Sequence, residues 1–124
     1  MYKFHFFPPS EIFSQNGKSE MLDILSNPII QDNMFRLLKI LEDIRTLFFD
    51  EPIYITSFYR NKRHNKKVGG VANSYHLLGA AVDVTCSDIP SLLSELSDYT
   101  ADIKYIHYSD KNFVHIQLKK PIKK

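Results

Sequence analysis

His76 and Asp83 stand seven residues apart with Gly79 between them, and His115 sits between Val114 and Ile116 near the end of the chain. Imidazole nitrogens and a carboxylate oxygen are donors that hold zinc, and a catalytic zinc keeps three protein ligands and one position for water. The glycine allows the backbone to bend back so that His76 and Asp83 face one point. A histidine flanked by apolar residues in a strand points away from them, so if Val114 and Ile116 face a core, His115 faces a cleft. Taken alone, a strand histidine is more often satisfied by a hydrogen bond than by a metal.

The same region carries a second chemical signal. Arg60, Lys62, Arg63, Lys66 and Lys67 fall within eight positions, followed by the Gly69-Gly70 pair, and the chain ends in "KKPIKK". Such a run suits phosphate contacts. However, the aromatic residues are not interleaved with the cations as base stacking requires, so no nucleic-acid partner is expected. The formal charge of +2 is also too small to imply a polyanion by itself. The lone Cys86 forms no intramolecular disulfide and has the character of a small buried hydrophobe. "MYKFHFFPPSE" is too broken for a signal-peptide core. No run approaches the roughly 18 apolar residues of a membrane span. The expectation is a protein without integral membrane association that stays cytoplasmic until something releases it.

The elements that must position these residues follow from periodicity. With 124 residues, 44% of them apolar, the chain is expected to form one domain, residues 1–124, around a single core. The first thirty residues carry turn punctuation at Pro8-Pro9, Asn16-Gly17 and Asn27-Pro28, with a short helix from about Ser19 to Leu25. Met34, Leu37, Leu38, Leu41, Ile44 and Phe48 recur at helical spacing and predict a helix of about 18 residues, packed by one face. "PIYIT" alternates as a strand, and a polar segment then leads to Gly69-Gly70. "AAVDVTC" is a second, largely buried strand, and Ser87 is a plausible N-cap for a helix carrying Leu92, Leu93 and Leu96. "IKYIHYS" and "FVHIQL" form a hairpin. The order predicts an α+β domain with a small, mainly antiparallel sheet and flanking helices.

Residues 57–84, "SFYRNKRHNKKVGGVANSYHLLGAAVDV", resemble the core of the M15 family of zinc D-Ala-D-Ala carboxypeptidases and related peptidoglycan endopeptidases. The matching pieces are Ser57, Tyr59, Arg60, Asn65, Val68, Gly69, Gly70, Ser74, His76, Gly79, Ala81 and Asp83, with His115 in "FVHIQ". The likeness covers about residues 27–118. It implies an M15-type fold, Zn²⁺ held by His76, Asp83 and His115, and a metal-activated water attacking D-amino-acid-containing peptide bonds of peptidoglycan stem peptides. It also implies that Arg60 reaches into the site to pair with a substrate carboxylate or stabilise developing charge, and that Ser74 holds the loop before His76 or touches substrate. A small wall peptidase of this kind has the character of a phage-type protein, a lysin acting on the cell wall after release, or of a bacterial relative.

One position departs from the pattern. Many relatives carry Asp or Glu three residues before the last ligand; here that position is Asn112, which has no titratable proton and cannot act as general base. If the hairpin loop is the three residues 110–112, with Asn112 left-handed, His107 lies directly across from His115 and can serve as the base. A four-residue loop moves His107 to the other face. Asp110 is the second candidate. If neither serves, the chain is a zinc-stabilised peptidoglycan-binding module with little or no catalysis.

Overall fold

The computed structural model describes residues 4–47 and 50–123. Two helices open it, α1 at Pro9–Ile12 and α2 at Lys18–Ser26, followed by the long α3 at Pro28–Leu47. Strand β1 (Ile53–Ser57), α4 (Lys62–Lys67), a 3₁₀ turn at Tyr75–Leu78 and β2 (Ala81–Cys86) come next. Then follow α5 (Ile89–Leu96), a second 3₁₀ turn at Ser97–Tyr99, β3 (Ile103–Tyr108) and β4 (Phe113–Leu118). The strands form one antiparallel sheet in the order β1-β2-β4-β3. This is the α+β arrangement that the periodicities predict.

The sheet has one apolar face and one chemical face because side chains alternate along each strand. Ile53, Ile55, Val82, Val84, Ile103, Val114, Ile116 and Leu118 are buried on the first. The predicted stripe of α3, Met34, Leu37, Leu38, Leu41 and Ile44, is buried with them in one core; Phe48 lies outside the described residues. Burying each such side chain contributes about 1.5–3 kcal/mol relative to leaving it exposed, so the helix is held by its stripe rather than by propensity.

Polar contacts anchor the remaining segments to α3 and β1. Asn33, fully buried, donates to the carbonyls of Leu78 and Ile122 and accepts from Ile122 N–H. Glu42 accepts the backbone N–H groups of His5 and Phe6. Glu11 accepts Ile55 N–H at 2.8 Å and so covers the outer edge of β1.

Three local details differ from expectation. Residues 62–67 are helical, with Asn61 as N-cap, although "KRHNKK" carries no apolar stripe. The N-cap of α5 is Asp88, whose carboxylate accepts Ser91 N–H, rather than Ser87. The β3–β4 connection is the four-residue one, 109–112, with Tyr108 paired to Phe113 and Asn112 at φ +56°.

Gly79 joins the 3₁₀ turn to β2 and is constrained twice. Its φ is +68°, and a Cβ there would lie 2.8 Å from Met34 Cγ and 2.9 Å from the Ile30 carbonyl oxygen. The turn that carries His76 therefore rests directly on α3. Gly79→Ala is expected to destabilise the protein by about 2–4 kcal/mol, from left-handed strain plus overpacking, measured as a lower urea midpoint at unchanged slope.

Candidate metal centre

Asp83 and His115 are direct partners across β2 and β4. Their strand neighbours Val82, Val84, Val114 and Ile116 all face the core, so both side chains emerge on the opposite face, side by side. His76 reaches the same point from the 3₁₀ turn. Ser74 caps that turn, its Oγ accepting His76 N–H at 3.2 Å. One potential ligand atom from each of His76, Asp83 and His115 lies within 4.8 Å of the others.

His76 carries the most informative geometry. Its Nδ1 is 2.6 Å from the Phe58 carbonyl oxygen, an acceptor only, so Nδ1 holds the proton and Nε2 carries the lone pair. The His76 side chain is buried, and Nε2 makes no hydrogen bond among the described residues. It lies 3.3 Å from Asp83 Oδ2 but off the line a hydrogen bond needs. A buried, unpaired imidazole nitrogen costs about 1–3 kcal/mol unless something binds it. A lone pair aimed at a carboxylate and a second imidazole is satisfied by a cation. The donor set of two imidazoles and one carboxylate therefore fits zinc. Reciprocally, Arg60 N–H donates to the His76 carbonyl at 3.0 Å, so the chain leaving β1 and the ligand turn are laced in both directions.

Arg60 is held at three points. Nε donates to Ser57 Oγ at 2.9 Å, Nη1 to Asn65 Oδ1 at 3.2 Å and Nη2 to Asp83 Oδ2 at 3.3 Å. Asn65 is itself buried, donating to the Val71 carbonyl at 2.7 Å and accepting Gly70 N–H on its own carbonyl. A Cβ on Gly70 would sit 2.1 Å from Asn65 Oδ1. The spaced Ser57, Arg60, Asn65 and Gly70 of the sequence are thus one clamp on a guanidinium.

Glu20 of α2 supports that clamp from behind and was not singled out by the sequence. Its carboxylate accepts Asn61 N–H at 2.8 Å, approaches His64 Nδ1 at 3.0 Å and accepts from Asn16. Burial raises its pKa, but these hydrogen bonds outweigh burial and hold it below the ordinary value. Tyr59 donates its hydroxyl to Asp23, fixing the same loop to α2.

Electrostatics at the centre follow from burial and pairing. Burial pushes the Asp83 carboxyl up, yet the hydrogen bond from His115 outweighs burial and holds it below the ordinary carboxylate value. For His115, burial lowers the pKa, but the contact to Asp83 (Nδ1 to Oδ1, 2.8 Å) and that to Gln117 (Nε2 to Oε1, 3.0 Å) raise it overall. Burial also lowers the Arg60 pKa, against support from Asp83 and Glu20.

The general-base candidates are not brought to this point. With the four-residue connection, His107 pairs with Val114 and lies exposed on the sheet face opposite to His115. Asp110 is exposed in the turn. The three-residue loop on which the His107 assignment depended is thereby corrected: one additional loop residue shifts the register and reverses the face. Gln117, two residues beyond His115 and therefore on its face, is a contact the sequence reading missed. Strand parity alone could have found it.

A family model described as Peptidase M15 matches residues 5–117. No curated protein matches the chain.

Replacing His76, Asp83 or His115 by Ala is expected to abolish stoichiometric zinc, read by metal analysis after dialysis. Gln117→Ala is expected to retain the site but weaken zinc affinity about 10- to 100-fold, the usual effect of losing a group that orients a ligand. In chelator-treated protein, Asp83 lies below its ordinary 3.8, so its stabilisation is present above that value and is lost as the pH falls towards 2. His115 lies above its ordinary 6.5, so its stabilisation is present below that value and is lost as the pH rises through the raised folded-state pKa. The denaturation midpoint is therefore expected to be highest between about pH 4 and 6.5 and to decline on both sides, and Asp83→Asn should flatten the profile.

Proposed function

The chain belongs to the Peptidase M15 family, and from that premise we propose that it hydrolyses D-amino-acid-containing bonds of peptidoglycan stem peptides with Zn²⁺ held by His76, Asp83 and His115. The observation that carries this reading is the buried, unpaired Nε2 of His76 aimed at the other two donors. Zinc bound there would supply a Lewis acid that polarises a peptide carbonyl and activates water at neutral pH.

The remaining work falls to the chain's own groups. Asp83 and the two histidines supply a donor set with one negative charge. Arg60 stands beside Asp83 with its fork fixed by Ser57 and Asn65, so it meets a substrate carboxylate or developing oxyanion without reorganising. The four exposed cations Lys62, Arg63, Lys66 and Lys67 of α4 form the outer face of the same loop, where they are solvated or attract an anionic wall surface. Among the described residues no helix is long and apolar enough to cross a membrane. Action on the wall after release, as a phage lysin or a bacterial relative, accords with this reading.

One observation favours a second reading, a zinc-stabilised peptidoglycan-binding module that does not cut. The register places Ser57, Thr85, Ile106, Phe113 and Gln117 around the ligands, and among these only amide, hydroxyl and apolar groups appear. Asn112, His107 and Asp110 supply no base at that point.

Mass spectrometry of purified peptidoglycan fragments, with and without chelator, separates the two. Chelator-sensitive cleavage is the expected result, and intact fragments that are bound by the zinc-loaded protein would favour the non-cutting module. In the active protein, Arg60→Lys is expected to lower kcat/KM roughly 10- to 100-fold, because a point charge does not reproduce the planar fork.

A further inference from the structure

A cavity of about 460 Å³ lies beside His115, between β4 and the free edge of β3, and Lys104, Ile106, Gln117 and Lys119 help to line it. Ile106 pairs directly with His115 and Lys104 with Gln117, so Lys104, Ile106, His115 and Gln117 emerge together on the metal-bearing face. Ile106 is 53% exposed, an apolar surface one strand away from a metal ligand. The cavity is thus continuous with the proposed active centre.

Backbone parity makes one wall of this cavity adhesive. Lys119 N–H bonds the Asp102 carbonyl and Leu118 N–H bonds the Ala80 carbonyl. In an antiparallel ladder this turns the backbone groups of residues 104, 106 and 108 towards β4 and those of 103, 105 and 107 outwards. The outer edge of β1 is covered by the Glu11 carboxylate on Ile55 N–H. No comparable side-chain contact reaches the outward groups of β3 among the described residues.

Charge distinguishes what this cavity accepts. Among the described residues two lysines line it and no carboxylate does. The Lys119 ammonium donates to the Thr100 carbonyl, whereas Lys104 has no carboxylate partner among the described residues. Resting on the peptidase reading, we infer that this cavity is the subsite for a substrate residue bearing a free carboxylate, selected by Lys104 and packed on Ile106. A γ-linked D-glutamyl residue, whose α-carboxylate is free, has that chemistry.

The experiment compares two probes that differ in one group, L-Ala-γ-D-Glu-L-Lys-D-Ala-D-Ala and the same peptide with the glutamyl α-carboxylate amidated. With the zinc-loaded full chain, kcat/KM for the acid is expected to exceed that for the amide by about 3- to 5-fold, the scale of a partly exposed ion pair, and to converge with it at high salt. Lys104→Gln should abolish the preference and Lys104→Glu reverse it; Lys104 is exposed, so both variants should fold, as circular dichroism would show. Equal cleavage of both probes by the wild-type chain overturns the subsite and leaves the peptidase reading standing. If neither is cut, calorimetric binding decides. Tighter binding of the acid that is lost in Lys104→Gln sustains the subsite on a non-cutting module, and binding without preference, or none, overturns it.

Discussion

A buried carboxylate in the middle of a sheet is the constraint from which the rest of the site follows. Asp83 sits in β2 between two core valines, 6% exposed, and an isolated charge there would cost several kcal/mol. Its stability therefore depends on partners arriving from two separate parts of the chain. His115 comes from the neighbouring strand at 2.8 Å and Arg60 from the loop after β1 at 3.3 Å, while His76 Nε2 approaches from the 3₁₀ turn at 3.3 Å without a hydrogen bond. Each partner is in turn held by its own hydrogen bonds, so the carboxylate organises residues 57–79 as well as the strands. The clamp of Ser57, Asn65 and Gly70 and the outer support from Glu20 are consequences of having to keep one guanidinium next to one buried acid.

How much of this was legible in the sequence depends on whether the signal was periodic. The stripe on α3 and the alternation in β2 and β4 were legible because burial writes itself into every third, fourth or second residue. The meeting of His76, Asp83 and His115 was legible because strand parity around His115 and the bend at Gly79 are local, and because the spaced motif resembled a known family. Helix α4 was not, since "KRHNKK" has no apolar face; it is held by the Asn61 cap, a local signal that was passed over, and by the burial of Asn65, a tertiary effect. Glu20 was also invisible, because a glutamate in an exposed-looking helix carries no mark of being 5% exposed in the fold.

The hairpin shows where sequence reasoning reaches its limit. The strands on both sides were identified, and the left-handed Asn112 belongs to either loop length. The two lengths differ by one residue, yet they put His107 on opposite faces, and nothing in "HYSDKNFVH" fixes the choice. The sheet decides it: Val114 must face the core opposite α3, and the pairing of Tyr108 with Phe113, whose rings stack at 4.9 Å on the other face, accompanies the longer loop. A functional assignment that hung on loop length was therefore settled by packing at residues that have no part in the chemistry.

The same electrostatics explain how the centre holds its shape before metal binds. With both ring nitrogens of His115 facing oxygens, of Asp83 and of Gln117, the charged form of the ring is favoured and its pKa is raised despite burial. Arg60 supplies the second positive charge against Asp83. On the zinc reading proposed above, a metal ion would replace positive charge already gathered at Asp83 rather than assemble scattered ligands. The one group that gains outright is His76 Nε2, which has no partner in the metal-free chain. That imbalance, one unsatisfied nitrogen in an otherwise paired cluster, is what a cation would relieve, since one metal ion could take all three donors at once.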